Sequence, residues 1–155
     1  MKIAIGSDHA AFPLKEAVRR HLIESGYAVV DMGTYSLDQV DYPVYGEKVA
    51  KAVVSGAVEL GIAICGTGAG ISMAANKVPG VRCVLASEPY TAVLSRQHND
   101  ANILAMGARV VGEGLAFMIV DQFLAAKSEG GRHAKRVEML SILDKNKDVQ
   151  KTVLS

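Results

Sequence analysis

Short apolar runs and longer stretches of helical spacing take turns along this chain from its first residue. Lys2 to Ser7 reads as a strand. Between Pro13 and Ser25 the residues Leu14, Ala17, Val18 and Leu22, with His21 beside them, share one helical face, with Pro13 suited to the first turn and Gly26 to the stop. Tyr27 to Met32 is a second strand, Gly33 to Tyr42 a polar loop, and Pro43 to Ser55 a helix that stops at Gly56. The third strand is Leu60 to Cys65. A glycine-rich loop and a helix from Ile71 to Lys77 follow it. Arg82 to Ser87, Glu88 to Gln97 and Ala101 to Met106 read as strand, helix and strand, and Ala108 to Val111 extends the last strand or begins an edge segment. A long apolar helix from Glu113 to Ala126 is broken by Gly130-Gly131. An amphipathic helix, His133 to Asp144, leads into a polar tail from Lys145 to Ser155 with no core face.

Strands of this length separated by helices specify a parallel sheet covered on both faces. The expected fold is α/β: a Rossmann-like three-layer α/β/α sandwich on a five-stranded parallel sheet, one domain over residues 1–155 with a tail from about 145. Ligands of such sheets bind beyond the carboxyl ends of the strands. Asp8-His9, Cys65 to Gly70 and Ser87-Glu88 all fall there.

The bulk numbers narrow the function. A net charge of +1 and the lack of a long Lys/Arg block argue against a general nucleic-acid binder. No run approaches the length of a membrane span. The two cysteines form no CxxC pair, and the four histidines have no metal-ligand spacing, so neither a metal nor another cofactor is expected. The start of the chain turns polar too soon for a secretory signal, which makes the cytoplasm the expected compartment.

Chemistry concentrates in Cys65-Gly66-Thr67-Gly68-Ala69-Gly70. A thiol ends a buried strand beside backbone N–H groups that glycines leave uncovered, close to the start of a helix. Such a place holds anions and favours a thiolate. The loop has no Lys where a P-loop needs one, and its third glycine is out of register for a dinucleotide fingerprint. Cys83, inside an apolar strand, is read as an inert buried thiol.

Four further places carry candidate chemistry, each with an ordinary alternative. His98-Asn99-Asp100 offers a loop imidazole for proton transfer, or a helix end with Asn99 in a left-handed conformation. Asp8 and His9 can meet sugar hydroxyls and an anion, or Asp8 can simply cap the next helix. Arg132 and Arg136 share a helix face if one helix holds both; they form a phosphate clamp or a solvated basic face, with His133 and Lys135 adding charge nearby. Arg109 stands in an apolar stretch where a guanidinium needs a partner.

Taken together, these segments resemble the type B ribose-5-phosphate isomerases, within the wider group that includes galactose-6-phosphate and allose-6-phosphate isomerases. The resemblance rests on Gly6-Ser7-Asp8-His9, Asp41-Tyr42-Pro43, Cys65 to Gly70 running on to Lys77, Ser87 to Tyr90, Ser95 to Asp100, Gly107 to Val110 and Glu129 to His133, and it extends to about residue 140. It implies that Cys65 moves a proton between C1 and C2 of the open-chain sugar. The amides of Gly66, Thr67, Gly68, Ala69 and Gly70, assisted by Asn99, would stabilise the enediolate. It also implies that His98 and Thr67 open the furanose ring, that Asp8 and Tyr42 contact the sugar, and that His9, Arg109, Arg132 and Arg136 hold the phosphate. Family members form homodimers, some paired into tetramers, share the site between subunits and need no metal. One branch uses a Glu of the glycine loop as base; Ile71 stands there in this chain, so the cysteine branch fits.

A six-carbon substrate such as allose 6-phosphate is the nearest alternative. A non-catalytic phosphosugar-binding module needs no base, and a thiol redox protein lacks a resolving cysteine near Cys65.

Overall fold

A computed structural model describes residues 1–154, with side chains to residue 152. Five strands, β1 (Lys2–Ser7), β2 (Ala28–Asp31), β3 (Leu60–Cys65), β4 (Cys83–Leu85) and β5 (Ile103–Gly107), form one sheet in the order β2-β1-β3-β5-β4. Every pairing is parallel. Seven helices accompany them: α1 (Phe12–Glu24), α2 (Tyr42–Val54), α3 (Ala69–Ala75), α4 (Pro89–Asn99), α5 (Glu113–Ala125), α6 (Gly131–Asp144) and α7 (Val149–Leu154). Chain order leaves β1 in two directions, to β2 on one side and β3 on the other. The ends of β1 and β3 therefore flank the crevice where such sheets bind ligands. Among the described residues no helix is long and apolar enough to cross a membrane.

The two faces of the sheet are built from different residue sizes. One face carries Ile3, Ile5, Ile62, Ile64, Leu104 and Met106 under α1, α4 and α5, with Leu22, Ile119 and Phe123 closing the layer. The opposite face carries Ala4, Ala63 and Ala105 under α2 and α3. Its glycines let α2 approach closely: a methyl at Gly61 would stand 2.6 Å from Val49, and one at Gly6 2.8 Å from it. Cys65 belongs to this small-residue layer, so the thiol sits under α2 and α3.

Three expectations change. Ala108 to Val111 turns instead of extending β5: the N–H groups of Val110 and Val111 both donate to the Gly107 carbonyl. The N–H groups of Ala108 and Arg109 meanwhile follow the glycine loop, donating to Cys65 and Gly66. β4 is reduced to three residues because it is an edge strand, held on one side only. The tail forms a short helix, α7, after the turn at Lys145 and Asn146; Ser155 lies outside the described residues.

Candidate active site

β3 delivers Cys65 to the carboxyl edge of the sheet with its side chain almost wholly buried. The chain then reverses through Gly68, whose φ of +79° only glycine adopts cheaply, and its N–H donates to Cys65 Sγ at 3.2 Å. Ala69 N–H donates to Thr67 Oγ1 at 3.3 Å. Among the described residues, the N–H groups of Gly66, Thr67 and Gly70 donate to no protein acceptor.

The loop is clamped from three sides. A methyl at Gly107, the last residue of β5, would stand 2.5 Å from the Thr67 carbonyl carbon. A methyl at Gly70 would meet the Tyr42 ring at 2.6 Å, and the Arg109 guanidinium lies 3.3 Å from where a methyl on Gly66 would stand. Phenol ring and guanidinium therefore stand against the loop that carries the thiol and the amides.

Asp8 and His9 follow β1 on the same edge. Asp8 Oδ1 accepts from Ala11 N–H at 3.1 Å, so the capping role holds and occupies one carboxylate oxygen. His9 Nδ1 lies 3.1 Å from both the carbonyl oxygen and the amide nitrogen of Val40. Val40 belongs to the loop between β2 and α2, and that loop is moored by Lys15. The fully buried Lys15 ammonium donates to both Asp31 oxygens at 2.8 and 2.7 Å and to the Thr34 carbonyl at 2.8 Å. Beside it, the Arg19 guanidinium hydrogen-bonds Glu16 and holds that carboxyl at about 2, aided by Lys15.

The remaining predicted residues lie at the other edge. α4 runs antiparallel to the strands, so its last turn, with His98 and Asn99, returns to the amino edge. There Asn102 N–H meets the Arg82 carbonyl and Ile103 pairs with Gly61. Gly61 to Cys65 alone spans about 13 Å of strand. The left-handed residue ending α4 is Asp100, at φ 47°, and not Asn99. Arg82 and Arg96 hold the Asp100 carboxylate at 2.9 and 3.1 Å, which fixes that end. Glu129 N–H donates to the Gln97 carbonyl, and α6 starts from there with both Arg132 and Arg136 inside one helix.

The His98 and His133 rings stack with centroids 4.1 Å apart and planes 2° from parallel. Glu129 Oε2 stands 3.8 Å from Nε2 of each. Those ligand atoms lie within 4.8 Å of one another. A metal is nonetheless poorly served: the parallel rings direct their lone pairs side by side, and His133 Nε2 already accepts from Arg132 Nε at 3.4 Å. Burial pushes the Cys83 thiol up to about 12, in keeping with its reading as inert. Glu88 caps α4 by accepting from Thr91 N–H.

One protomer thus gathers Asp8, His9, Tyr42, Cys65, the Gly66 to Gly70 loop and Arg109 at the carboxyl edge, and His98, Asn99, Arg132 and Arg136 at the amino edge. Sequence reasoning passed over Val40 and Lys15, which have no motif, and gave Glu129 no role of its own. The i,i+4 spacing of Glu129 and His133 was its available signal.

A doubly wound α/β domain with a thiol, unpaired amides and a guanidinium at its topological switch point defines a class of small-molecule enzyme. Residues 3–140 match the family model described as Ribose/Galactose Isomerase, and the chain belongs to that family. Ribose-5-phosphate isomerase B of Escherichia coli (strain K12) is 55% identical over 147 residues, covering 95% of this chain and 99% of that one. The structure of ribose-5-phosphate isomerase B from Clostridium thermocellum superposes with a TM-score of 0.93 at 54% identity, covering 94% of this chain and 99% of that one. The Mycoplasma genitalium ribose-5-phosphate isomerase B, solved with bound ribulose-5-phosphate, superposes with a TM-score of 0.89 at 42% identity, covering 93% and 96% of the two chains.

Proposed function

We propose that this chain interconverts ribose 5-phosphate and ribulose 5-phosphate, working as a homodimer whose two sites each draw on both copies. The observation that carries the chemistry is the Cys65 thiol, buried at the strand end and hydrogen-bonded by the Gly68 amide, with the amides of Gly66, Thr67 and Gly70 unpaired beside it. Strong identity to proteins named ribose-5-phosphate isomerase B supports the substrate.

The reaction begins with the furanose. His98 takes the O1 proton, C1=O forms, the C1–O4 bond breaks, and O4 receives a proton with Thr67 assisting. Cys65 as thiolate then removes the C2 proton, and the electron pair moves through C1 onto O1. The loop amides and Asn99 donate to that oxygen, where each well-aimed donor contributes on the order of 3 kcal/mol. Transfer of a proton from O2 to O1 and return of the Cys65 proton to C1 give the ketose. Asp8 and Tyr42 contact the sugar, and His9, Arg109, Arg132 and Arg136 hold the phosphate away from the reacting carbons. The thiol used in this way fits a reducing compartment, the cytoplasm.

Separation of Cys65 from His98 across the sheet supports the shared site, since neither edge alone has base, ring-opener and clamp. A two-fold axis that sets the amino edge of one copy over the carboxyl edge of the other completes both sites at once. The test is complementation. Cys65→Ala and His98→Asn homodimers are each nearly inactive. Mixing and re-associating them restores about a quarter of parental turnover, because half of the dimers are mixed and one of their two sites is intact. No recovery in dimers shown to have exchanged subunits removes the shared site.

A further inference from the structure

His98, Arg132 and Arg136 all have a part in the reaction above, while Glu129 and His133, at the same corner of the fold, have none. Both are aimed at His98. His133 is 7% exposed, and its ring lies flat against that of His98. Its Nε2 accepts a hydrogen bond from Arg132, so that nitrogen carries no proton. Burial, together with the neighbouring His98 and Arg132, lowers its pKa further below the usual histidine value. His133 is therefore a flat, uncharged surface at neutral pH.

Glu129 is held by its own N–H on the Gln97 carbonyl, one residue before His98 in sequence. Its carboxylate is equally distant from both imidazoles, but only His98 has an Nε2 free to bear a proton toward it. The other charges at this corner, on Arg132 and Arg136 of α6, are cations. Glu129 is the anion that offsets them.

We infer that Glu129 and His133 are positioning residues for His98 in ring opening: the His133 ring fixes the plane of the His98 imidazole, and the Glu129 carboxylate stabilises the imidazolium formed when His98 takes the sugar O1 proton. The inference rests on the ring-opening role proposed for His98. A neutral His133 is part of the device, because a second imidazolium 4.1 Å away would repel the first.

The experiment uses the fact that ribulose 5-phosphate has no ring to open. Two rates are measured for each variant: turnover from ribose 5-phosphate, and solvent exchange of the C1 hydrogen of ribulose 5-phosphate in D2O. Their ratio isolates ring opening from proton transfer at carbon. Glu129→Gln and His133→Ala are expected to lower the ratio about tenfold, a part of what general acid–base catalysis supplies. His133→Phe, which restores a flat uncharged ring, is expected to return the ratio to within about threefold of the parent. An unmoved ratio in Glu129→Gln and His133→Ala, or equal losses in both rates, overturns the inference when His98→Asn does lower the ratio. If His98→Asn leaves the ratio unmoved, the ring-opening role itself falls, and the inference with it.

Discussion

The imidazole of His9 is held by a single residue: Nδ1 lies 3.1 Å from both the amide nitrogen and the carbonyl oxygen of Val40. A neutral ring accepts from the Val40 N–H, and a protonated ring donates to the Val40 carbonyl. In those two states Nε2 carries a hydrogen and can donate to an anion; the neutral tautomer protonated at Nδ1 donates to the Val40 carbonyl and leaves Nε2 bare, so a bound anion selects against it. His9→Gln is expected to raise KM for ribose 5-phosphate by about tenfold with little change in kcat, the loss of one charge-assisted hydrogen bond. An unchanged KM in this variant would remove His9 from the proposed phosphate contacts.

In the proposed mechanism Cys65→Ala removes the base and leaves the phosphate contacts. Turnover is expected to fall by about a thousandfold or more, with substrate binding measured by calorimetry preserved. Substantial residual turnover would take the base assignment away from Cys65. Arg132→Ala and Arg136→Ala, by contrast, are expected to raise KM more than they lower kcat; unchanged KM in both would end the clamp assignment.

Lys15→Met leaves the Asp31 carboxylate and the Thr34 carbonyl without their buried donor. Asp31 is partly exposed and keeps the Gly33 N–H, so the loss is that of buried polar groups left short of a donor, about 1–3 kcal/mol. Chemical denaturation should report that loss, and KM should rise because the moored loop carries Val40. A stable variant with unchanged KM would show that the loop holds its place without Lys15.

Glu16 gives an acid-side signature. Its carboxyl titrates at about 2 when folded against 4.5 otherwise, so the folded state prefers it charged. The stability this contributes is present in full above about pH 4.5 and is lost as pH falls toward 2. The group is partly exposed, which limits the contribution to about 1 kcal/mol. Glu16→Gln should flatten the pH dependence of unfolding in that window and leave it unchanged at pH 7. An identical acid limb in the variant would assign the loss to other carboxylates.

The sheet and its carboxyl edge were legible because each strand is a compact apolar block and glycines mark the loop after β3. What escaped has physical causes. Ala108 to Val111 is as apolar as a strand, yet the pull of two carbonyls in the glycine loop bends it. The left-handed position fell on Asp100 instead of Asn99 because two arginines hold its carboxylate there. The placing of His98 opposite Cys65 was already implicit: a helix returning between parallel strands must end at their amino edge. Val40 and Lys15 act through loop geometry, which leaves no periodic trace.

The close approach of Gly107 to Thr67 reaches beyond this chain. The six-residue segment from Cys65 to Gly70 fits against the end of a neighbouring strand, some forty residues later in sequence, that has no side chain there. The segment is therefore not a portable cassette. Grafting it onto another α/β scaffold requires transplanting the bare strand end along with it, and any random walk through sequence that changes one is bound to the other.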